Sequence, residues 1–249
     1  MARVVNDSED SRGGARALVD LSVDRVLEVA AIFTIAASVV GLTAASAHVF
    51  QAPQVVLCAL ILTGTYAHTT RGRATSWGGA RPRWPHIALL ILVALFFRLP
   101  AYNYIVGGQD EGLYTNIAQH IDKTGGLDAH DRVMQKLEGS KYLHRYLEDN
   151  RILEGTPTLY LLGVYARQPG TAHLIFQFYY LFPVLMAIVG GIFGPTSAVY
   201  ALTFFGVLSI VFFYRVALLL TQSSTAALLA AGLLDLNPLH AFFSKFPVT

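Results

Sequence analysis

Residues 107–114 read GGQDEGLY and set two carboxylates, Asp110 and Glu111, between a glycine pair and an amphipathic segment. A carboxylate held at a fixed place can take a proton from a hydroxyl as general base, or ligate a divalent metal. Acids at the start of a helix also cap its free N–H groups and complement its dipole. Composition alone leaves both readings open. Tyr114 closes the segment and is a candidate substrate contact. His173 and Gln177 lie four residues apart, so one helical face can present both to a polar head group. His120, His130 and His144 are too irregularly spaced to specify a metal site. Arg98 and Asp235 interrupt apolar runs, where charge is costly and a functional role is the default expectation. Arg98 either snorkels to an interface or faces inward, and Asp235 is read as interfacial because Asn237-Pro238 follows. The aromatic group Phe176, Phe178, Tyr179 and Tyr180 suits an interfacial belt better than a sugar-stacking platform.

The elements that must position these residues are membrane spans. Of 249 residues, 54% are apolar and 14% charged, well below the quarter or so usual in soluble domains. Nine of the sixteen acids and seven of the eighteen bases lie in residues 107–172, so the remaining runs are nearly charge-free. A net charge of +2 with no basic, aromatic-interleaved stretch argues against nucleic acid as a partner. Cys58 is the one cysteine, so no internal disulfide forms. Apolar runs at 27–50, 53–68 and 86–106 predict three spans, and residues 1–26 read as a retained cytoplasmic tail. Residues 69–85 carry Arg71, Arg73, Arg81 and Arg83 with no acid, which keeps that loop in the cytoplasm and sends residue 107 to the outer side.

Residues 107–172 then form an outer loop long enough to need structure of its own. Leu113, Ile117 and Ile121 share a helical face, and Gly125-Gly126 ends that helix. A second amphipathic helix is expected over 130–147 with Val133, Leu137 and Leu143 aligned, and a strand or turn over 158–164. The segment 173–194 carries Pro183 and Gly190-Gly191 and is read as interfacial, which lets Arg215 of the next span, 196–220, reach the cytoplasm. A last span, 225–236, returns outward. The expected fold is an all-α polytopic bundle in the cell (inner) membrane, tail inside, with interfacial helices in the outer loop.

An acidic pair just after a span, heading a long outer loop, resembles the GT-C class of integral-membrane glycosyltransferases. The branch it looks most like includes protein O-mannosyltransferases and aminoarabinose–lipid A transferases. The stretch FQFYYLFPVLMAIVGGIFG at 176–194, Tyr214-Arg215 with Thr225-Ala226-Ala227, and Asn237-Pro238 with Ser244-Lys245-Phe246-Pro247 resemble later parts of that branch in order and spacing. The likeness runs over 86–249 and implies the N-terminal portion of a longer enzyme. It implies a sugar carried on a polyprenyl phosphate, a lipid, glycan or protein acceptor, and transfer on the outer face among membrane lipids. Asp110 takes the catalytic position, Glu111 stands beside it, and Lys245 takes the place of a basic residue facing the lipid phosphate. A divalent metal is left open. Two other classes fit the same composition: a non-catalytic membrane scaffold or assembly partner, in which the acids only cap a helix, and a transporter subunit. The transporter ranks last, because no internal repeat is found.

Overall fold

The computed structural model describes residues 7–71, 77–103, 110–149, 158–161, 163–167 and 170–247, with backbone alone for 7–22, 110–111, 149 and 158–161. It is mostly helical. Helix α1 runs Asp7–Ser46, so the tail read as separate is continuous with the first apolar run. Then follow α2 (Ala52–Thr69), α3 (Trp84–Arg98), α4 (Asp110–Thr124), α5 (Arg132–Leu137), α6 (Lys141–Asp149), α7 (Leu181–Phe193), α8 (Tyr200–Thr221), α9 (Ser224–Asp235) and α10 (Pro238–Phe243). Two stretches, Val23–Ser46 and Pro195–Thr221, are long and apolar enough to cross a membrane; α3, α7 and α9 are apolar but shorter.

Helices α1 and α2 form a hairpin, and α3, α8 and α9 pack as a second group beside the start of the apolar part of α1. Two buried ion pairs mark the ends of this second group. At one end Arg215 of α8 grips Asp24 of α1 with two bonds, Nε to Oδ1 at 2.6 Å and Nη2 to Oδ2 at 2.8 Å. The same guanidinium donates to the carbonyls of Gly78 and Ala80 in the arginine-rich connection. At the other end Arg98 of α3 meets Asp235 of α9 at 2.7 Å. We call these the tail end and the loop end.

Because Arg215 lies at the tail end, α8 begins at the loop end, and α7 finishes there. Its 13 residues span about 20 Å at 1.5 Å each. Small residues let it nest. A Cβ on Gly41 of α1 would sit 2.7 Å from Val184, and one on Gly191 of α7 would sit 2.6 Å from the Ala52 Cβ.

Against α7 lies α4, whose Leu113, Ile117 and Ile121 are buried as their spacing implies. Burying each such side chain is worth about 1.5–3 kcal/mol. Gly125, at φ +73°, ends α4 and docks on the α1–α2 turn, where the Phe50 amide donates to the Gly125 carbonyl. One expectation for the loop fails. The helix over 130–147 is two short helices, α5 and α6, broken at Gly139 (φ +75°) after the Asp131 side chain starts α5 by accepting from Val133 and Met134. Met134, Leu143 and Leu147 fill the core there, while Val133 and Leu137 are exposed. The strand or turn expected over 158–164 belongs to a small antiparallel sheet: β1 (Ala129–His130), β2 (Thr158–Leu161), β3 (Val164–Ala166) and β4 (His173–Phe176), in the order β1-β4-β3-β2. Strand β3 alternates buried and half-buried residues, a weak period-2 signal that competes poorly with the longer helical runs.

Candidate functional site

Asp110 and Glu111 form the first turn of α4 at the loop end; their side chains lie outside the described residues. What surrounds that turn is described. One turn on, Leu113 presses against the β2–β3 connection, where Gly163 (φ +75°) leaves room for it: a Cβ on Gly163 would overlap the Leu113 side chain. The Gly163 carbonyl accepts from the Gln177 amide at 2.9 Å, and the exposed Gln177 side chain lies over the same glycine. Gln177 is therefore held close to the acid-bearing turn.

His173 is not. The helical face expected to carry both residues is strand β4 instead, so four residues separate them by about 13 Å. Its ring stacks on His130 across the β1–β4 pair, centroids 4.8 Å apart. Its Nε2 stands 3.4 Å from Asp128 Oδ1, at the far end of α4. His48 approaches the other oxygen of Asp128 at 3.3 Å, its backbone at φ +59° and its ring against Gly126, where a Cβ would collide. His120 Nε2 donates to the Asp128 carbonyl at 2.9 Å; burial pushes its pKa below the ordinary 6.5 more than that bond raises it. His144 stands apart, 3.3 Å from Glu148 on α6. Among the described residues no group of three or more histidine, cysteine or acidic side chains is arranged to hold a metal ion. The meeting of His48, His173 and Asp128 was invisible in sequence, because it joins three turns and strands 125 residues apart in the chain.

Tyr114 is a correction of emphasis. It is 5% exposed, stacked on Phe178 at 4.8 Å and edge-on to Phe182 at 5.6 Å, so its ring packs α4 to the start of α7. Of the aromatic group, Tyr179 is 93% exposed and suits a surface belt, whereas Phe178 belongs to this stack.

Lys245 is brought to the chain that leads into Asp110. Its carbonyl accepts from the Tyr102 amide at 3.1 Å, and its Nζ lies 5.0 Å from the centre of the Tyr102 ring. The Tyr102 ring also packs on Phe246, and Asn103 donates to the Thr196 carbonyl. So α3, the segment entering α4 and the segment after α10 are tied at one place. Beneath it sits Arg98, 0% exposed and facing inward: Nη1 bonds Asp235 and Nη2 donates to His240 Nδ1 at 2.7 Å. An arginine only donates, so His240 Nδ1 is bare and its Nε2–H faces Ser209 Oγ at 3.1 Å. Gly206 makes room for this, since a Cβ there would strike Ser244 and lie 3.2 Å from Arg98 Nε. Asp235 is fully buried within the protein.

No family model, characterised protein or solved structure matches the chain. Its chemistry must be read from this arrangement: two carboxylates at a helix start, an exposed amide beside them, and a cation tethered to the approach segment.

Proposed function

We propose that the chain is an integral-membrane glycosyltransferase of the GT-C type, moving a sugar from a polyprenyl-phosphate donor to an acceptor hydroxyl on the outer face. The observation that carries this reading is the pairing of the Tyr102 amide with the Lys245 carbonyl, which holds a lysine beside Tyr102, eight residues before Asp110 in the chain. In the proposed reaction Asp110 takes the proton of the acceptor hydroxyl, whose oxygen attacks the anomeric carbon. The bond to the donor phosphate breaks, and the lipid phosphate leaves with its charge met by the Lys245 ammonium. Glu111 is the second carboxylate at the same depth, and Gln177 offers an amide to sugar hydroxyls.

The proposed topology has α1, α2, α3, α8 and α9 crossing the membrane, tail end in the cytoplasm. Support comes from the alternation of ends and from Arg71, Arg81 and Arg83 at the tail end. Helix α3, which runs between the two ion pairs, has 15 residues and is about 22 Å long. That length fits inside a hydrocarbon core of about 30 Å, so in the proposed topology both buried pairs lie within it.

The test is Asp110→Asn in the full chain, inserted in membranes and supplied with a polyprenyl-phosphate sugar. Transfer is expected to fall about 10²- to 10⁴-fold with insertion unchanged. Undiminished transfer overturns the assignment.

A further inference from the structure

Helix α10 is anchored by a single polar side chain. It packs on α3, α8 and α9, yet none of its six residues is buried, and Leu239, Phe242 and Phe243 are exposed. His240 is its one polar residue. Among the described residues, both bonds from α10 side chains to those helices belong to the His240 ring. Arg98 Nη2 donates to Nδ1 at 2.7 Å, and Nε2–H donates to Ser209 Oγ at 3.1 Å. The chain then continues into Ser244 and Lys245, whose carbonyls accept from Thr203 Oγ1 and the Tyr102 amide. The ring thus sits at the root of the segment that carries Lys245.

That anchor holds only while the ring is neutral. An arginine donates and cannot accept, so Nδ1 must be bare to take the bond. A proton on Nδ1 removes the acceptor and sets a second cation against a fully buried guanidinium. Burial and the Arg98 charge both hold the His240 pKa below the ordinary 6.5. On the helices packed against α10 the ionisable residues at this end are Arg98, Asp235 and, in the first turn of α8, Tyr200. His86, Tyr214 and Arg215 lie toward the tail end. Asp235 already accepts from Arg98 through Oδ1, while its Oδ2 is buried and unbonded. Lys245 follows five residues on, its ammonium over the Tyr102 ring. We infer that His240 is a proton-operated latch: neutral, it docks α10 on Arg98, and protonated, it frees α10 together with the segment that bears Lys245. The latch works whether or not the chain transfers sugar, and it shares only Lys245 with that reading.

A spin label on α10 reads the latch directly. In a Cys58→Ser background, Leu239→Cys and Phe243→Cys give exposed label sites on α10, and Leu229→Cys gives an exposed control on α9. The full chain is held in nanodiscs of phosphatidylcholine, and label mobility is followed as pH falls from about 8 to about 5. Release takes up one proton. The ratio of mobile to immobile label on α10 should therefore rise about tenfold per pH unit below about 6.5, until the docked ring itself protonates. The Leu229 label should not change. His240→Gln keeps a carbonyl to accept from Arg98 and an amide to donate to Ser209, with no proton to gain. Its α10 labels should stay immobile throughout. The same pH response in His240→Gln overturns the inference. So does an α10 label whose mobility in the unaltered latch never changes with pH, the result expected if Asp235 Oδ2 takes the protonated ring without release. Loosening at Leu229 in step with Leu239 also overturns it, because the whole bundle is then opening.

Discussion

At the residue scale the buried charges have the sharpest consequences. Arg98 and Asp235 are each fully buried, so removing one leaves the other uncompensated. Arg98→Met or Asp235→Leu should each cost about 3–5 kcal/mol, while the double variant should recover most of it, since an apolar pair of similar volume needs no desolvation. Thermal unfolding in detergent measures both. His120 gives a pH effect with a defined sign. Burial lowers its folded pKa, so the folded state prefers the neutral ring. The stability this contributes is present above the unfolded value of about 6.5 and is lost as pH falls below it toward the folded pKa. His120→Gln should flatten that part of the stability–pH curve relative to the unaltered chain. The likeness to glycosyltransferases gave both Asp110 and Lys245 their proposed roles, and Tyr102 lies against Lys245. Lys245→Gln should therefore lower transfer with little effect on folding, and Lys245→Arg should restore part of it.

At the element scale the decisive contacts are made where side chains are missing. Gly191 lets α7 lie against α2, and α7 in turn supports α4 and its acidic turn. Gly191→Ala should cost about 1–3 kcal/mol through forced displacement. Gly232 of α9 has nothing within reach of an added Cβ. Gly232→Ala should instead be neutral or stabilising by up to about 1 kcal/mol, because only helix propensity changes. Comparing the two melting temperatures separates packing from propensity. The helix α4 was legible from Leu113, Ile117 and Ile121, because a 3.6-residue repeat needs only local sequence. Strands β3 and β4 were not, because three or four residues whose partners come from elsewhere in the loop carry almost no period.

At the scale of the whole molecule, the two ion pairs mark the bundle's ends, and the arginines at one end carry its proposed sidedness. In a Cys58→Ser background, Lys141→Cys should react with a membrane-impermeant maleimide on intact cells. Thr69→Cys should react only after permeabilisation. The reverse pattern would invert the proposed topology.

Sequence alone determined a mostly helical, strongly apolar chain, the acidic pair at the head of α4, and the charge-rich segment that follows. Those properties are written in composition and short-range periodicity. Tertiary structure decided which charges are partners, that Arg98 and Asp235 face each other inside the protein, that Tyr114 packs instead of projecting, and that Gln177 stays near the acidic turn while His173 leaves it. Each of these depends on contacts between residues far apart in the chain, and no local pattern encodes the distance between two helix ends.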